Sequence, residues 1–298
     1  MGRVAGLVLG CAADRLLGDP RRFHPVAGFG RFALAVESRT YADHRAAGGL
    51  HSLVVVGGTV LLARTLREGT LVTALCTWTV LGGRSLAREA AAVAAHLEAG
   101  DLPAARERVT HLVGRDPSRL GPDEVARATV ESVAENTSDA VVAPLLWGAV
   151  AGPAGLLGYR AVNTLDAMVG HRSPRYLRFG WASARLDDAA NLVPARVTAL
   201  LAATGAPGPA LRAWRRDAGR HPSPNAGPVE AAFAGALGLR LGGRNRYGEE
   251  VQDRGFLGDG RPPAPGDIGR AVVLADRVGA AALSLAVLGA IARRRGRR

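Results

Sequence analysis

The sequence predicts an all-α fold: a polytopic helical membrane protein with broken or re-entrant helices and an amphipathic helical excursion at the membrane surface. Three observations point there. Hydrophobic residues make up 48% of the 298 residues beside 21% charged ones, with a mean hydropathy of +0.08, so the apolar residues must be gathered into blocks. Stretches 46–63, 69–83 and 140–159 carry no formal charge apart from a protonated His51, and they approach the ~20 apolar residues that cross a bilayer. Prolines and glycines interrupt the longest of them.

Taken in order, Val4 to Ala13 reads as a first apolar helix. The charged region ahead of it is minimal and Asp14 follows at once, so a retained helix is favoured over a cleaved signal. A rigid polar turn follows, with Asp14, Gly18-Asp19-Pro20 and Phe23-His24-Pro25. Stretches 46–63 and 69–83, joined by Arg64–Glu68, read as a helical hairpin in the membrane, with a buried soluble hairpin as the second reading. From about 84 to 130 the chain turns amphipathic and water-facing. Ser85 is placed to cap a helix that ends at Gly100, and Asp101 caps the next, with Pro103 in its first turn and an end near Gly114.

Gly121-Pro122-Asp123-Glu124 starts a helix that carries Arg127, Glu131, Glu135 and Asp139. The three acids recur at i, i+4 and i+8 and share one face. A solvated face is the simpler reading of such a stripe. Three features favour function instead: no arginine at i+4 spacing satisfies the acids within the helix, Ser132 and Asn136 flank them, and twenty uncharged residues follow. A straight helix over those twenty would span about 30 Å and put Asp139 and Asp166 on opposite sides of a bilayer. Pro153 breaks helical hydrogen bonding, so a fold-back is expected that returns Asn163 and Asp166 toward Glu135 and Asp139, its freed backbone groups lining a cavity. A true span with the polar motifs divided is the alternative.

Residues 160–188 read as polar and turn-rich, and 189–211 as apolar but broken by Pro194 and Arg196. Residues 220–227 form a rigid loop presenting His221, Ser223 and Asn225, followed by a small-residue helix at 228–239. Gly242 to Gly248 is a glycine loop able to meet a phosphate, a weak signal alone. Residues 253–267 read as a mobile Pro/Gly-rich stretch, and 271–292 as a last apolar helix. Five of the final six residues are arginine, which places that tail in the cytoplasm by the positive-inside rule.

Composition also excludes chemistry. The chain has a net charge of +12 and no lysine, so neither a Walker A phosphate loop nor a lysine Schiff base is available. The arginines are spread over every polar segment rather than gathered on a recognisable module, which argues against nucleic acid. Cys11 and Cys76 lie far apart in apolar runs and read as buried thiols.

The polar motifs together resemble one family. Arg127-Ala-Thr-Val-Glu-Ser-Val-Ala-Glu-Asn-Thr-Ser-Asp139, Asn163-Thr-Leu-Asp166, Gly180-Trp-Ala-Ser-Ala-Arg-Leu-Asp-Asp188, His221-Pro-Ser-Pro-Asn-Ala-Gly227 and Leu241-Gly-Gly-Arg-Asn-Arg-Tyr-Gly248 are similar to the CobD/CbiB family, the adenosylcobinamide-phosphate synthases. Two positions depart from the family pattern: Arg160 stands where lysine is common, and Ala167 where serine is. Arginine keeps the charge there but cannot act as a base.

The resemblance implies a multi-pass protein of the cytoplasmic membrane, its active face and C-terminus cytoplasmic. It implies condensation of a side-chain carboxylate of adenosylcobyric acid with aminopropanol or its phosphate, using ATP and Mg²⁺. Membrane lipid and later cobalamin-assembly enzymes are the other partners it suggests. On this reading Glu135, Asn136, Asp139, Asn163, Asp166, Arg185, Asp187 and Asp188 are the catalytic candidates, with Glu135, Asp139, Asp166 and Asp187 as metal ligands. Asp14, Asp19, His24, Arg127, Glu131, Arg160, His221, Ser223, Asn225 and Asn245 are the substrate-binding candidates. A non-catalytic membrane scaffold or a cation-coupled transporter is the competing class, since transporters also place acids beside broken helices.

Overall fold

The computed structural model describes residues 2–19, 25–247 and 250–295, with backbone alone at 244–247, 250–253 and 295. The chain groups into two units. Met1–Gly82, Ala143–Asn191 and Leu283–Arg298 make the first, and Gly83–Val142 with Leu192–Ala282 the second. The first begins with α1 (Gly2–Leu17), α2 (Pro25–Thr40), α3 (Arg45–Ser52), a π-helical turn at Leu53–Gly57, α4 (Gly58–Thr65) and α5 (Thr70–Val80). The second opens with α6 (Gly83–Glu98), α7 (Leu102–Val109), α8 (Pro122–Thr137) and a π turn at Ser138–Val142. The chain then returns to the first unit through α9 (Ala143–Ala151), α10 (Pro153–Leu165) and a π turn at Asp166–Gly170. Next come α11 (Trp181–Ala203), α12 (Pro207–Asp217), α13 (Ala226–Leu237), the strands β1 (Leu241–Tyr247) and β2 (Glu250–Leu257), and α14 (Pro265–Arg295).

Small residues set the packing of the first unit. On α1, Gly6 and Gly10 lie against Thr73 and Thr77 of α5 so closely that a Cβ at either would come 2.4 Å from the threonine Cβ. Glycine four residues apart lets two helix backbones approach in this way. The 69–83 stretch therefore pairs with α1, not with the 46–63 stretch as expected, and α10 packs against both α4 and α5. The membrane hairpin also fails on length, because eleven residues of α5 rise only about 16 Å against about 30 Å of hydrocarbon. Two helices are long and apolar enough to cross a bilayer among the described residues: Arg45–Thr65, which is α3 through α4, and Pro265–Arg294.

The break inside 140–159 falls at Gly152-Pro153. Gly152 adopts φ +60°, a region open to glycine, and Pro153 occupies the first turn of α10. α10 turns back along α9, with Gly155 so near the Trp147 carbonyl that a Cβ would meet it at 2.0 Å. Protein groups meet the backbone at this break: Gly152 N–H donates to Gly148 at 2.8 Å and Leu156 N–H to Gly152 at 3.0 Å, while the Ala149 and Val150 carbonyls, freed at the end of α9, accept from Arg3 Nη1 at 3.0 and 3.2 Å. Residues 160–188 are helical on both sides of one loop, 171–180, rather than turn-rich, and α11 runs through Pro194 without ending.

That loop is clamped. A Cβ at Gly48 would lie 1.8 Å from the Phe179 carbonyl oxygen, and one at Gly180 would lie 1.7 Å from the Val169 oxygen. Gly48→Ala is therefore expected to destabilise by about 1–3 kcal/mol through overpacking, read as a lower denaturation midpoint of the purified protein.

In the second unit the local signals hold well. Asp101 accepts from Ala104 N–H at 3.0 Å, and Glu124 accepts from Gly121 N–H at 2.9 Å to start α8. Ser85 sits inside the first turn of α6, which already begins at Gly83, and so does not cap it. The chief departure from an all-helical chain is the antiparallel β1–β2 hairpin. Gly242 (φ +79°) and Gly243 (φ +84°) form its bulge, where the register shifts before Arg244, and a Cβ at Gly242 would strike the Gly255 carbonyl at 2.1 Å. These glycines thus serve a strand irregularity. The stretch expected to be mobile is tied down: Leu257 is fully buried, Gly258 N–H donates to Asp217 at 2.9 Å, and Arg261 pairs with Asp267 at 2.6 Å.

Candidate functional site

Within the first unit, one turn of α10 faces the start of α11. Arg160 donates through Nε to the Val80 carbonyl at 3.0 Å, donates to it again through Nη2, and reaches Asn163 Oδ1 through Nη1 at 3.3 Å. Asn163 Nδ2 points to Asp187 Oδ1 at 3.4 Å, and Asp187 Oδ2 accepts from Asn191 Nδ2 at 3.0 Å. Tyr159 donates to Asn191 Oδ1 at 2.8 Å and closes the chain. Helical periodicity explains the pairing: Asp187 and Asn191 are one turn apart on α11, and Tyr159 and Arg160 each lie one turn before Asn163 on α10. Burial lifts the Asp187 carboxyl above its usual range, as does the Asp188 carboxylate, while the two amide donors oppose the shift.

Other expected residues of this unit stand near or apart. Trp78 donates to the Gly18 carbonyl at 3.0 Å, two residues before Val80, so the Asp14–Asp19 turn and Arg160 share the C-terminal end of α5. Asp14 is buried and Asp19 half-buried. Asp166 opens a π turn and folds over Gly170, whose Cβ would sit 1.8 Å from Asp166 Oδ1. Arg185 is exposed at the start of α11 and Asp188 is half-buried.

The second unit holds a separate polar centre. Glu131, 5% exposed, accepts from Arg115 Nη2 at 2.9 Å and from Gly242 N–H at 2.8 Å, and Arg127 Nη1 lies 3.9 Å away. Arg127 stands one turn before Glu131, so the expectation that no arginine at i+4 spacing serves the stripe is corrected. The Gly242 amide, expected to be available to a phosphate, is likewise taken by this carboxylate. Glu135 is exposed, whereas Asn136 spends its Nδ2 on Ser132, at 2.9 Å to the carbonyl and 3.1 Å to Oγ. Asp139 sits in the π turn that follows α8. Two candidates, Asp139 and Asp166, thus occupy π turns, which recur at functional sites.

His221, Ser223 and Asn225 form one turn ahead of α13. Ser223 Oγ accepts from the Asn225 and Ala226 amides, at 3.3 and 3.2 Å, and Asn225 Oδ1 accepts from Arg196 at 2.7 Å. His221 Nδ1 accepts from Ser223 N–H at 3.0 Å, which puts the proton of a neutral ring on Nε2. That nitrogen faces Glu230 at 3.5 Å. His24 and the side chain of Asn245 lie outside the described residues. Among the described residues no three His, Cys, Asp or Glu side chains converge as a metal cage.

With this geometry in hand, the sequence pattern described as CobD/Cbib protein matches residues 7–275. The chain belongs to the CobD/CbiB family. A protein named cobalamin biosynthesis protein CobD from Mycobacterium tuberculosis (strain ATCC 25618 / H37Rv) is 54% identical over 298 residues, covering 96% of this chain and 95% of that one. Proteins of the same name from Rhodobacter capsulatus and Chromobacterium violaceum are 44% and 46% identical, over 92% and 89% of this chain and 93% and 89% of theirs. No solved structure matches the chain.

In this CobD/CbiB chain, sequence reasoning missed Asn191, Tyr159 and Glu230. Glu230 is 1% exposed on α13, and among the described residues neither carboxylate oxygen has a hydrogen-bond partner. The signal for it was a lone acid in a helix of otherwise uncharged residues. Burial first, then the Glu131 and Glu135 carboxylates, push it well above the usual range, against Arg254 and Arg115. Burial and Arg254 hold His221 down, at about 4.

The two shifts have opposite consequences for stability. The folded protein keeps a proton on Glu230 that the unfolded chain releases above about pH 4.3, so stability falls as pH rises from there toward the raised folded value. The folded protein excludes a proton from His221 that the unfolded chain binds below about pH 6.5, so stability also falls as pH drops from there toward about 4. Glu230→Gln is expected to flatten the alkaline limb of the denaturation midpoint against pH and leave the acid limb in place.

Proposed function

We propose that the chain is an ATP-dependent acid–amine ligase of cobalamin biosynthesis, an adenosylcobinamide-phosphate synthase. It joins aminopropanol or its phosphate to a side-chain carboxylate of adenosylcobyric acid. The relatives' shared name supports the pathway, and one observation carries the chemical reading: the hydrogen-bonded run from Arg160 through Asn163, Asp187 and Asn191 to Tyr159. A satisfied network of this kind rigidifies its members and holds the Asp187 carboxylate in one place.

Amide formation from a carboxylate is uphill in water, so the acid is activated first. A carboxylate oxygen attacks the γ-phosphorus of ATP and ADP leaves. The amine nitrogen then attacks the acyl carbon, phosphate leaves, and the amine's proton passes to a base. Phosphoryl transfer asks the protein for positioning and charge neutralisation more than for a nucleophile. Arg160 is fixed by Val80 and orients Asn163, which with Asn191 aims the Asp187 carboxylate. Exposed Arg185 offers a guanidinium to phosphate oxygens, a bidentate match.

The oxygen donors fit Mg²⁺, which takes one or two carboxylates and completes its shell with substrate phosphates, without an all-protein cage. Within the first unit Asp166 and Asp187 would supply such carboxylates, and within the second Glu135 and Asp139 would. When bound, the ion neutralises charge on the nucleotide phosphates. Two helices long and apolar enough to cross a bilayer support a location in the membrane, and an active face on the cytoplasmic side follows from the use of ATP. Later cobalamin-assembly enzymes would take the product. The test is ADP release by membranes that carry the chain, expected only with both the acid and the amine present. A transporter would show neither dependence, and a scaffold no turnover.

A further inference from the structure

We infer that the loop 171–180 and the start of α3 form a headgroup site for an anionic phospholipid at the edge of the bilayer. The inference is independent of the ligase chemistry and rests on the membrane location proposed above. The inner face of the loop is fixed: Tyr176 Oη and Arg175 Nη2 each donate to the buried Glu37 at 2.9 Å, and Phe179 is fully buried beside the Tyr41 and His51 rings. Its outer face is not what water selects in a rigid loop. Leu177 is 62% exposed and Trp181 43% exposed, and Trp181 Nε1 donates to the Arg45 carbonyl at 2.8 Å.

A cavity of about 520 Å³ opens there, lined by His44, Arg45, Leu177 and Arg178. Two guanidinium-bearing side chains beside an exposed leucine match a phosphate joined to an acyl chain. The charge agrees: Arg175 is paired with Glu37 at 2.9 Å and Arg178 with the exposed Asp43 at 3.8 Å, so Arg45 and Arg172 are the cation excess of this loop and helix start. Arg45 is also the first residue of the apolar helix Arg45–Thr65, whose Leu50, Leu53, Leu61 and Leu62 are exposed. Indole and arginine at the end of such a helix are interfacial groups. A free phosphate would leave Leu177 and Trp181 unexplained, and a second copy of this chain would leave the cation excess unexplained.

The test uses the full chain with Trp181 as its sole tryptophan (Trp78→Phe, Trp147→Phe, Trp214→Phe) in mixed lipid–detergent micelles. Brominated phosphatidylglycerol is expected to quench Trp181 at a several-fold lower mole fraction than brominated phosphatidylcholine. Arg45→Gln with Arg178→Gln is expected to abolish that difference, and excess inorganic phosphate to leave it unchanged. Equal quenching by the two lipids, no quenching, or reversal by phosphate alone would overturn the proposal. Native mass spectrometry of the unsubstituted chain gives a second reading: phosphatidylglycerol retained over phosphatidylcholine supports the site, and equal retention overturns it.

Discussion

Asp187→Ala is expected to lower ATP-dependent amide formation by roughly 10²-fold or more, the scale on which loss of positioning in an active site is felt. The side chain joins two helices: Oδ1 faces Asn163 at 3.4 Å and Oδ2 accepts from Asn191 at 3.0 Å. Both neighbours present amide donors, so Asp187→Asn sets donor against donor at one side while leaving volume unchanged, and it should be nearly as inactive as the alanine variant. Asn191→Ala removes only one donor and is expected to cost less. A thermal melt of each variant separates this outcome from unfolding. If Asp187→Asn melted like the parent and kept its turnover, the polar run would have no part in the chemistry.

The largest stability effect is expected at Glu131. Its carboxylate holds Arg115, itself 5% exposed, and the bulge amide of Gly242, from the start of the hairpin. Glu131→Ala leaves that buried guanidinium without its carboxylate and strands the amide, a loss of about 3–5 kcal/mol for a broken buried pair. Removing both partners together, Glu131→Leu with Arg115→Met, is expected to cost less than the sum of the two single truncations, because the buried guanidinium goes with its carboxylate. Denaturation midpoints of the two singles and the double check this directly. Additive losses would show that the pair does not interact as described.

Chain-local chemistry explains why some elements were legible. Gly121-Pro122 followed by Glu124 carries its own helix start, Asp101 its own cap, and Gly152-Pro153 its own break, because each depends on residues within a turn of one another. The 69–83 stretch misled because hydropathy reports apolarity but not partner: Gly6 and Gly10 draw α5 onto α1. Glycine at 242–243 suggested a phosphate loop, whereas positive φ and the approach of the Gly255 carbonyl require it for a bulge. The acid stripe on α8 was seen, but Arg115, sixteen residues before Glu131, could be joined to it only by tertiary structure. Asn191 and Tyr159 are ordinary in sequence and acquire meaning only beside Asp187.

The central claim is that this chain couples ATP to amide formation, and the most direct measurement is a product count. Purified protein supplied with ATP and Mg²⁺ is predicted to release one ADP and one phosphate for each amide formed from adenosylcobyric acid and the amino alcohol or its phosphate, with no release when either is withheld. ADP release that continues without the acid or the amine, or amide formed without ATP, would contradict the account.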